Sequence, residues 1–142
     1  MFMQQAIEEA KKTAKDIPVG AVIVNNGEII ARAHNTKEET NDVTAHAEIL
    51  AIKKASEKLN NWRLDDCELY VTLEPCPMCA WAILDSRIKA VYFGSYDTQY
   101  GALGSSNIDL LKLSKSCPKI YGGIMEEECN NLLKNFFDKV RL

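Results

Sequence analysis

Two short stretches of the 142-residue sequence carry side chains able to hold a metal ion and move a proton. One is Glu74-Pro75-Cys76-Pro77-Met78-Cys79. On a helical turn, residues i and i+3 are neighbours, so Cys76 and Cys79 share a face. Pro75 and Pro77 suit a helix start, where a missing N–H goes unused. A helix N-terminus favours thiolates and lowers their pKa. The segment can therefore present two soft anionic ligands on a rigid frame. Zn²⁺ is the common metal that takes sulfur and nitrogen in tetrahedral geometry. By itself a Cys-x-x-Cys pair fits a redox couple or two buried thiols equally well. The second stretch, Thr44-Ala45-His46-Ala47-Glu48, adds an imidazole and a carboxylate.

Taken together, the stretches read His-x-Glu followed by Pro-Cys-x-x-Cys, the signature of zinc-dependent nucleobase deaminases. Two thiolates and a neutral imidazole cancel the charge of Zn²⁺ and leave a fourth position for water, which the metal acidifies toward neutral pH. Glu48 is then the candidate proton carrier. Apart from the cysteines, Glu48 reads as a first-turn carboxylate complementing the helix dipole, and His46 as a cap or core residue. Structural zinc sites close on four protein ligands, and only three are evident here. One condition attaches to the pair. Positions i and i+2 lie about 200° apart on a regular helix, so His46 and Glu48 share a pocket only if the helix end points into it.

The elements that must position these residues follow from hydrophobic periodicity. Met3, Ala6, Ile7, Ala10 and Ala14 repeat at helical spacing and predict a helix over residues 3–16. The apolar run at 19–24 suits a strand covered on both faces, and Asn25-Asn26-Gly27 turns it into a returning strand at 28–33. Residues 35–44 read as a loop, 46–59 as a helix and 69–73 as a strand. Residues 76–85 form an all-round apolar helix, suited to burial against a second subunit. A strand at 90–93, a loop at 95–107, a short helix at 108–113, a strand at 119–121 and a helix at 124–140 complete the chain. The alternation predicts one α/β domain over residues 1–142, a three-layer α/β/α sandwich on a mixed sheet. Its first two strands pair antiparallel and the later ones parallel. The inner face of the last helix takes Met125, Cys129, Leu132, Leu133, Phe136 and Phe137.

Composition narrows the setting. A net charge of −3 and a pI near 5.4 argue against a general, strongly basic nucleic-acid binder. No apolar run approaches the ~20 residues of a membrane span, and the N-terminus lacks a secretory pattern, so a cytoplasmic protein is expected. Five cysteines without that pattern favour metal or free thiols over disulfides. Cys67, Cys117 and Cys129 read as small buried hydrophobes. Lys53, Lys54, Lys58 and Arg63 form one basic group, and Lys112, Lys115 and Lys119 another. Each fits either phosphate contacts or an ordinary solvated face.

Beyond the metal motif, Pro18-Val19-Gly20-Ala21-Val22, Asn35, Asn61-Trp62-Arg63-Leu64 and Tyr70-Val71-Thr72-Leu73 resemble the bacterial tRNA-specific adenosine deaminases, a branch of the cytidine deaminase superfamily. So do Ser86-Arg87-Ile88, Gly101-Ala102, Gly104-Ser105 and Gly122-Gly123-Ile124. The resemblance runs over nearly the whole chain. It implies a five-stranded mixed sheet, a homodimer and one zinc per subunit held by His46, Cys76 and Cys79. It also implies Glu48 as proton shuttle and Asn35 as a contact to the flipped base. The substrate implied is adenosine at the wobble position of a tRNA anticodon loop. Asn35 fits a turn residue as well, and Asp97 fits either a turn cap or a substrate contact. Tyr96 and Tyr100 suit stacking on flanking bases or loop packing. The chain departs from the family at Trp81, where a glycine is usual, which places a large ring at the pocket wall or a subunit contact. It departs also in the loop 95–100, which lacks the usual basic residues, and around Ser116-Cys117-Pro118, where an Asn-His pair is common. Two other functions compete: a deaminase of a free base or nucleoside such as guanine or cytosine, and a zinc-stabilised structural or RNA-binding module.

Overall fold

The computed structural model describes residues 1–115 and 118–140, so Ser116 and Cys117 lie outside the described residues. Asn26 and Gly27, both at positive φ (51° and 79°), make the tight turn that pairs β1 (Gly20–Asn25) with β2 (Glu28–His34). β3 (Cys67–Leu73) pairs antiparallel with the other edge of β1. β4 (Ala90–Ser95) and β5 (Lys119–Tyr121) then add in parallel, giving the order β2-β1-β3-β4-β5. This is the five-stranded mixed sheet expected from the sequence.

Alternation along β1 and β3 divides the core between the two faces. Ala21, Ile23, Leu69 and Val71 face α3 (Ala47–Leu59) and α4 (Pro77–Asp85), whose Ala47, Ala51, Ala55, Ala80 and Ile83 are fully buried. Val22 and Tyr70 face α1 (Phe2–Ala10) and α5 (Glu126–Val140) through Met3, Ala6, Ile7 and Cys129. Each Val, Leu, Ile or Met side chain removed from water here contributes about 1.5–3 kcal/mol before chain entropy is subtracted, and each alanine less. Cys67 and Cys129 are both buried within these layers, as their apolar surroundings suggested.

Several boundaries differ from the periodicity reading. α1 stops at Ala10 rather than continuing to residue 16. The Thr13 N–H bonds the Ala10 carbonyl in a tighter turn, and Ala14 is exposed because nothing apolar lies beneath it. Gly20 explains how close α1 comes to the sheet, since a Cβ there would stand 2.0 Å from the Ala6 carbonyl oxygen. The loop at 35–44 contains a single helical turn, α2 (Lys37–Thr40). The expected helix at 108–113 is a 3-10 turn at Leu110–Lys112. α5 begins at Glu126 rather than 124, because Met125 is left-handed at φ 53°. Phe137 is not an inner residue but is 39% exposed, whereas Leu132, Leu133 and Phe136 are half-buried. Gly94 continues β4 instead of ending it. Its missing Cβ lets Cys129 approach, as an added carbon would lie 2.2 Å from the sulfur.

The ends of β2, β3 and β4 and the start of β1 gather at one end of the sheet, marked by the pairs Gly20–His34 and Leu73–Ser95. Ligand sites in α/β sheets form at such ends. No described helix is long and apolar enough to cross a membrane.

Candidate active site

Both chemical motifs sit at helix starts. His46 is the N-cap of α3 and Cys76 the N-cap of α4, each in extended conformation with its carbonyl accepting the first helical bond, from Leu50 and Ala80 respectively. Pro77 takes the first helical position, where its missing N–H costs nothing. The i,i+2 difficulty dissolves here. His46 has ψ 150°, so it stands outside the helical wheel and its ring turns to the same side as Glu48.

His46, Cys76 and Cys79 offer ligand atoms that all lie within 4.8 Å of one another. The His46 Nδ1 is 3.7 Å from Cys76 Sγ and 3.4 Å from Cys79 Sγ. A tetrahedral zinc with bonds of about 2.3 Å to sulfur and 2.0–2.1 Å to nitrogen needs an S···N edge of about 3.6 Å. The donor set therefore fits zinc in type and spacing. Its protonation fits too. The Cys79 thiol hydrogen-bonds Cys76 and, with His46, draws the Cys76 thiol down to about 4 against its burial. Cys79 is pushed far up by that same thiolate and by burial. The partnership with Cys76 raises His46. The three groups thus form one hydrogen-bonded set, in which a bound cation would favour both thiolates.

Glu48 is 4% exposed. Burial pushes its carboxyl up to about 7, against the pull of its own backbone N–H. A carboxyl balanced near neutral pH can both accept and give a proton. It faces, with His46 and Cys76, a cavity of about 480 Å³. Asn35 and Asp97 line the same cavity, and so do the apolar Val19 and Leu73.

Asn35 does more than turn the chain. Its Oδ1 accepts from the Ala47 N–H at 2.8 Å, and its Nδ2 donates to the Ile17 carbonyl at 2.9 Å. It thus ties the first turn of α3 to the segment before β1. Asp97 is a turn cap, accepting through Oδ1 from the Gln99 and Tyr100 N–H groups, and it also lies on the cavity wall. The aromatic pair separates. Tyr100 lines the cavity and is 58% exposed, while Tyr96 packs edge-on against Phe93 and over Gly123.

Four further contributions have no mark in the local spacing. Glu74, 2% exposed, accepts three backbone N–H groups of the loop after β4. Asp16 accepts from the Glu38 N–H with both oxygens (3.2 and 3.1 Å) and so caps α2 from a distance. Phe136 reaches the cavity from α5. Lys15 and Lys37, both exposed, stand at its rim. The two basic groups singled out in the sequence do not line it. Lys54 donates to the Arg32 carbonyl, and Arg63 pairs with Asp65 and stacks on Trp62. Trp81 is not at the pocket wall either. It lies 45% exposed on the outer face of α4. Of the four contributions, Glu74 alone falls inside a motif, directly before Pro75, and nothing local marks its burial or its three donors.

Residues 1–95 match the family described as the cytidine and deoxycytidylate deaminase zinc-binding region, a span that takes in both motifs. The chain belongs to this family of zinc-binding deaminases, and it is an enzyme. Its relatives narrow the branch to the tRNA-specific adenosine deaminases. The protein of that name from Bacillus subtilis (strain 168) is 46% identical, over 99% of this chain and 89% of the relative. A structure from a study of A-to-I editing by tRNA:A34 deaminases superposes with a TM-score of 0.89 at 43% identity, covering 93% of this chain and 98% of the other. A guanine deaminase from Bacillus subtilis is 46% identical but superposes at 0.64, over 67% of this chain and 62% of its own.

Proposed function

We propose that the protein deaminates adenosine to inosine at the wobble position of a tRNA anticodon loop, acting as a single catalytic domain. The observation that carries this reading is a buried carboxylate, Glu48, facing one cavity with His46 and Cys76 of the His46–Cys76–Cys79 donor set. The near full-length similarity to tRNA adenosine deaminases supports the choice of substrate over a free base.

His46, Cys76 and Cys79 hold one zinc ion per subunit. When bound, zinc supplies a Lewis acid that acidifies a water toward neutral pH. Glu48 takes the proton released and delivers it to the purine ring nitrogen as oxygen bonds to C6. It then takes the proton of the new C6 hydroxyl and passes it to the leaving amine as the C6–N bond breaks and the carbonyl forms, so that adenosine and water give inosine and ammonia. Asn35 holds the base edge and the start of α3 in one network, which keeps Glu48 in register with its target. Asp97 and Tyr100 form the wall that meets nucleotides beside the target. Lys15 and Lys37 at the rim offer charge to the RNA backbone in place of basic residues in the loop 95–100. The exposed apolar face of α4, with Met78 and Trp81, suits a homodimer contact, and a tRNA substrate is compatible with a cytoplasmic location.

The test is inosine formation in an anticodon stem-loop carrying a wobble adenosine, with free adenosine, guanine and cytosine assayed beside it. Wild type converts the stem-loop, and Glu48→Ala keeps its zinc but loses turnover. Turnover of a free base without the stem-loop would instead make the protein a base or nucleoside deaminase. Activity surviving in Glu48→Ala would remove Glu48 from the reaction.

A further inference from the structure

The loop between β4 and the 3-10 turn holds Asp97 and Tyr100 on the cavity wall, yet it has little regular structure of its own. Ala102 and Leu103 anchor it in the core, and one buried carboxylate ties its backbone at three points. Glu74 Oε1 accepts from the Asp97 N–H at 3.1 Å, while Oε2 accepts from the Leu103 and Ser105 N–H groups at 3.2 and 3.3 Å. Directly after it, the Pro75 carbonyl accepts from the Ala102 N–H at 2.9 Å. Gly101 sits against the carboxylate so closely that a Cβ would lie 2.4 Å from Glu74 Cδ and 2.4 Å from the Asp97 carbonyl oxygen. The loop is thus wrapped around the residue two positions before Cys76.

We propose that Glu74 is a positioning residue that holds the substrate wall in fixed register with the metal turn. The inference rests on the proposed deamination of an RNA adenosine and names a residue that reading does not require. A carboxylate with three backbone donors and no described cationic side chain bonded to it fixes positions by direction as well as charge. Losing one donor pairing lets Asp97 and Tyr100 drift while the sulfurs and Glu48, carried by helices packed on the sheet, stay in place. The expected signature is weaker substrate binding with intact chemistry.

The variant is Glu74→Gln, which keeps the volume. Whichever way its amide turns, an NH₂ group meets at least one backbone N–H. Expected are wild-type zinc content, kcat within about twofold and KM raised about tenfold on the stem-loop. Amide exchange at Asp97, Leu103 and Ser105 becomes faster. Gly101→Ala presses on the same contact with Glu74 retained, and it must give the same KM signature; it also serves if Glu74→Gln does not fold. Unchanged KM and unchanged exchange overturn the proposal. So does a fall in kcat accompanied by loss of zinc, which would make Glu74 part of the metal turn's own stability. If the wild type leaves the stem-loop unmodified, the functional reading fails separately, and the clamp is decided by amide exchange alone.

Discussion

His46 and Cys76 reach the cavity from helix starts seated on the sheet by Ala47, Ala51, Ala80 and Ile83, all fully buried. Asp97 and Tyr100 reach the same cavity from a loop whose Ala102 and Leu103 enter the core, while its backbone is tied by hydrogen bonds that arrive from Glu74 and Pro75, more than twenty residues earlier. The first region is fixed by apolar packing, which is non-directional, strong and tolerant of neighbours. The second adds to its two core residues a few directional bonds, each lost whole when a partner changes. The cavity wall formed by the loop can therefore shift without the helix starts, because it depends on directional bonds that the helix starts do not share.

That contrast can be broken or sharpened by substitution. The largest effect is expected for Cys79→Ser, which removes a buried thiol of the His46–Cys76–Cys79 donor set. Zinc content and turnover fall to background, and melting temperature falls with the lost metal linkage, read by metal analysis and thermal scanning. Tyr100→Ala tests the other region. If the ring stacks on a base, substrate binding weakens by about 1–3 kcal/mol with zinc and kcat unchanged, as steady-state kinetics would show. A zinc loss in that variant would mean that the wall and the metal turn are one unit. Gly20→Ala forces a Cβ toward the Ala6 carbonyl and Ala10 amide. Overpacking of this kind costs about 1–3 kcal/mol, measurable by denaturant unfolding, with little change in KM. Asp16→Ala removes the distant cap of α2 and costs about 1 kcal/mol, with a small rise in KM because Lys37 and Glu38 stand at the rim. The smallest effect is electrostatic. Lys15→Ala and Lys37→Ala each reduce the slope of log affinity against log salt by about 0.7 if that side chain meets an RNA phosphate.

The metal region was legible because its residues fall in two short motifs whose types are rarely combined for any other purpose. The mixed sheet was legible because β1 reads as an apolar run and Asn26-Gly27 demands a tight turn. Helix ends were less so. α1 loses its last turn because Ala14, though in phase, has no surface to cover, and a periodicity does not register the absence of a partner. Glu74 was seen only as the residue before Pro75, since its three donors lie at positions 97, 103 and 105. Lys15 and Lys37 were passed over for denser basic groups, because density along a chain says nothing of which lysines fold toward the cavity. Trp81 drew attention as a departure in a key motif, yet α4 turns it outward, opposite the buried Cys79, Ala80 and Ile83.

Zinc-edge X-ray absorption on the purified protein tests the central claim most directly. An ion held by His46, Cys76 and Cys79 gives two sulfur neighbours at about 2.3 Å and two lighter ones at about 2.0–2.1 Å, one of them an exchangeable oxygen, at one zinc per chain. A closed shell made wholly of protein ligands, or protein purified fully active without zinc, would contradict the account.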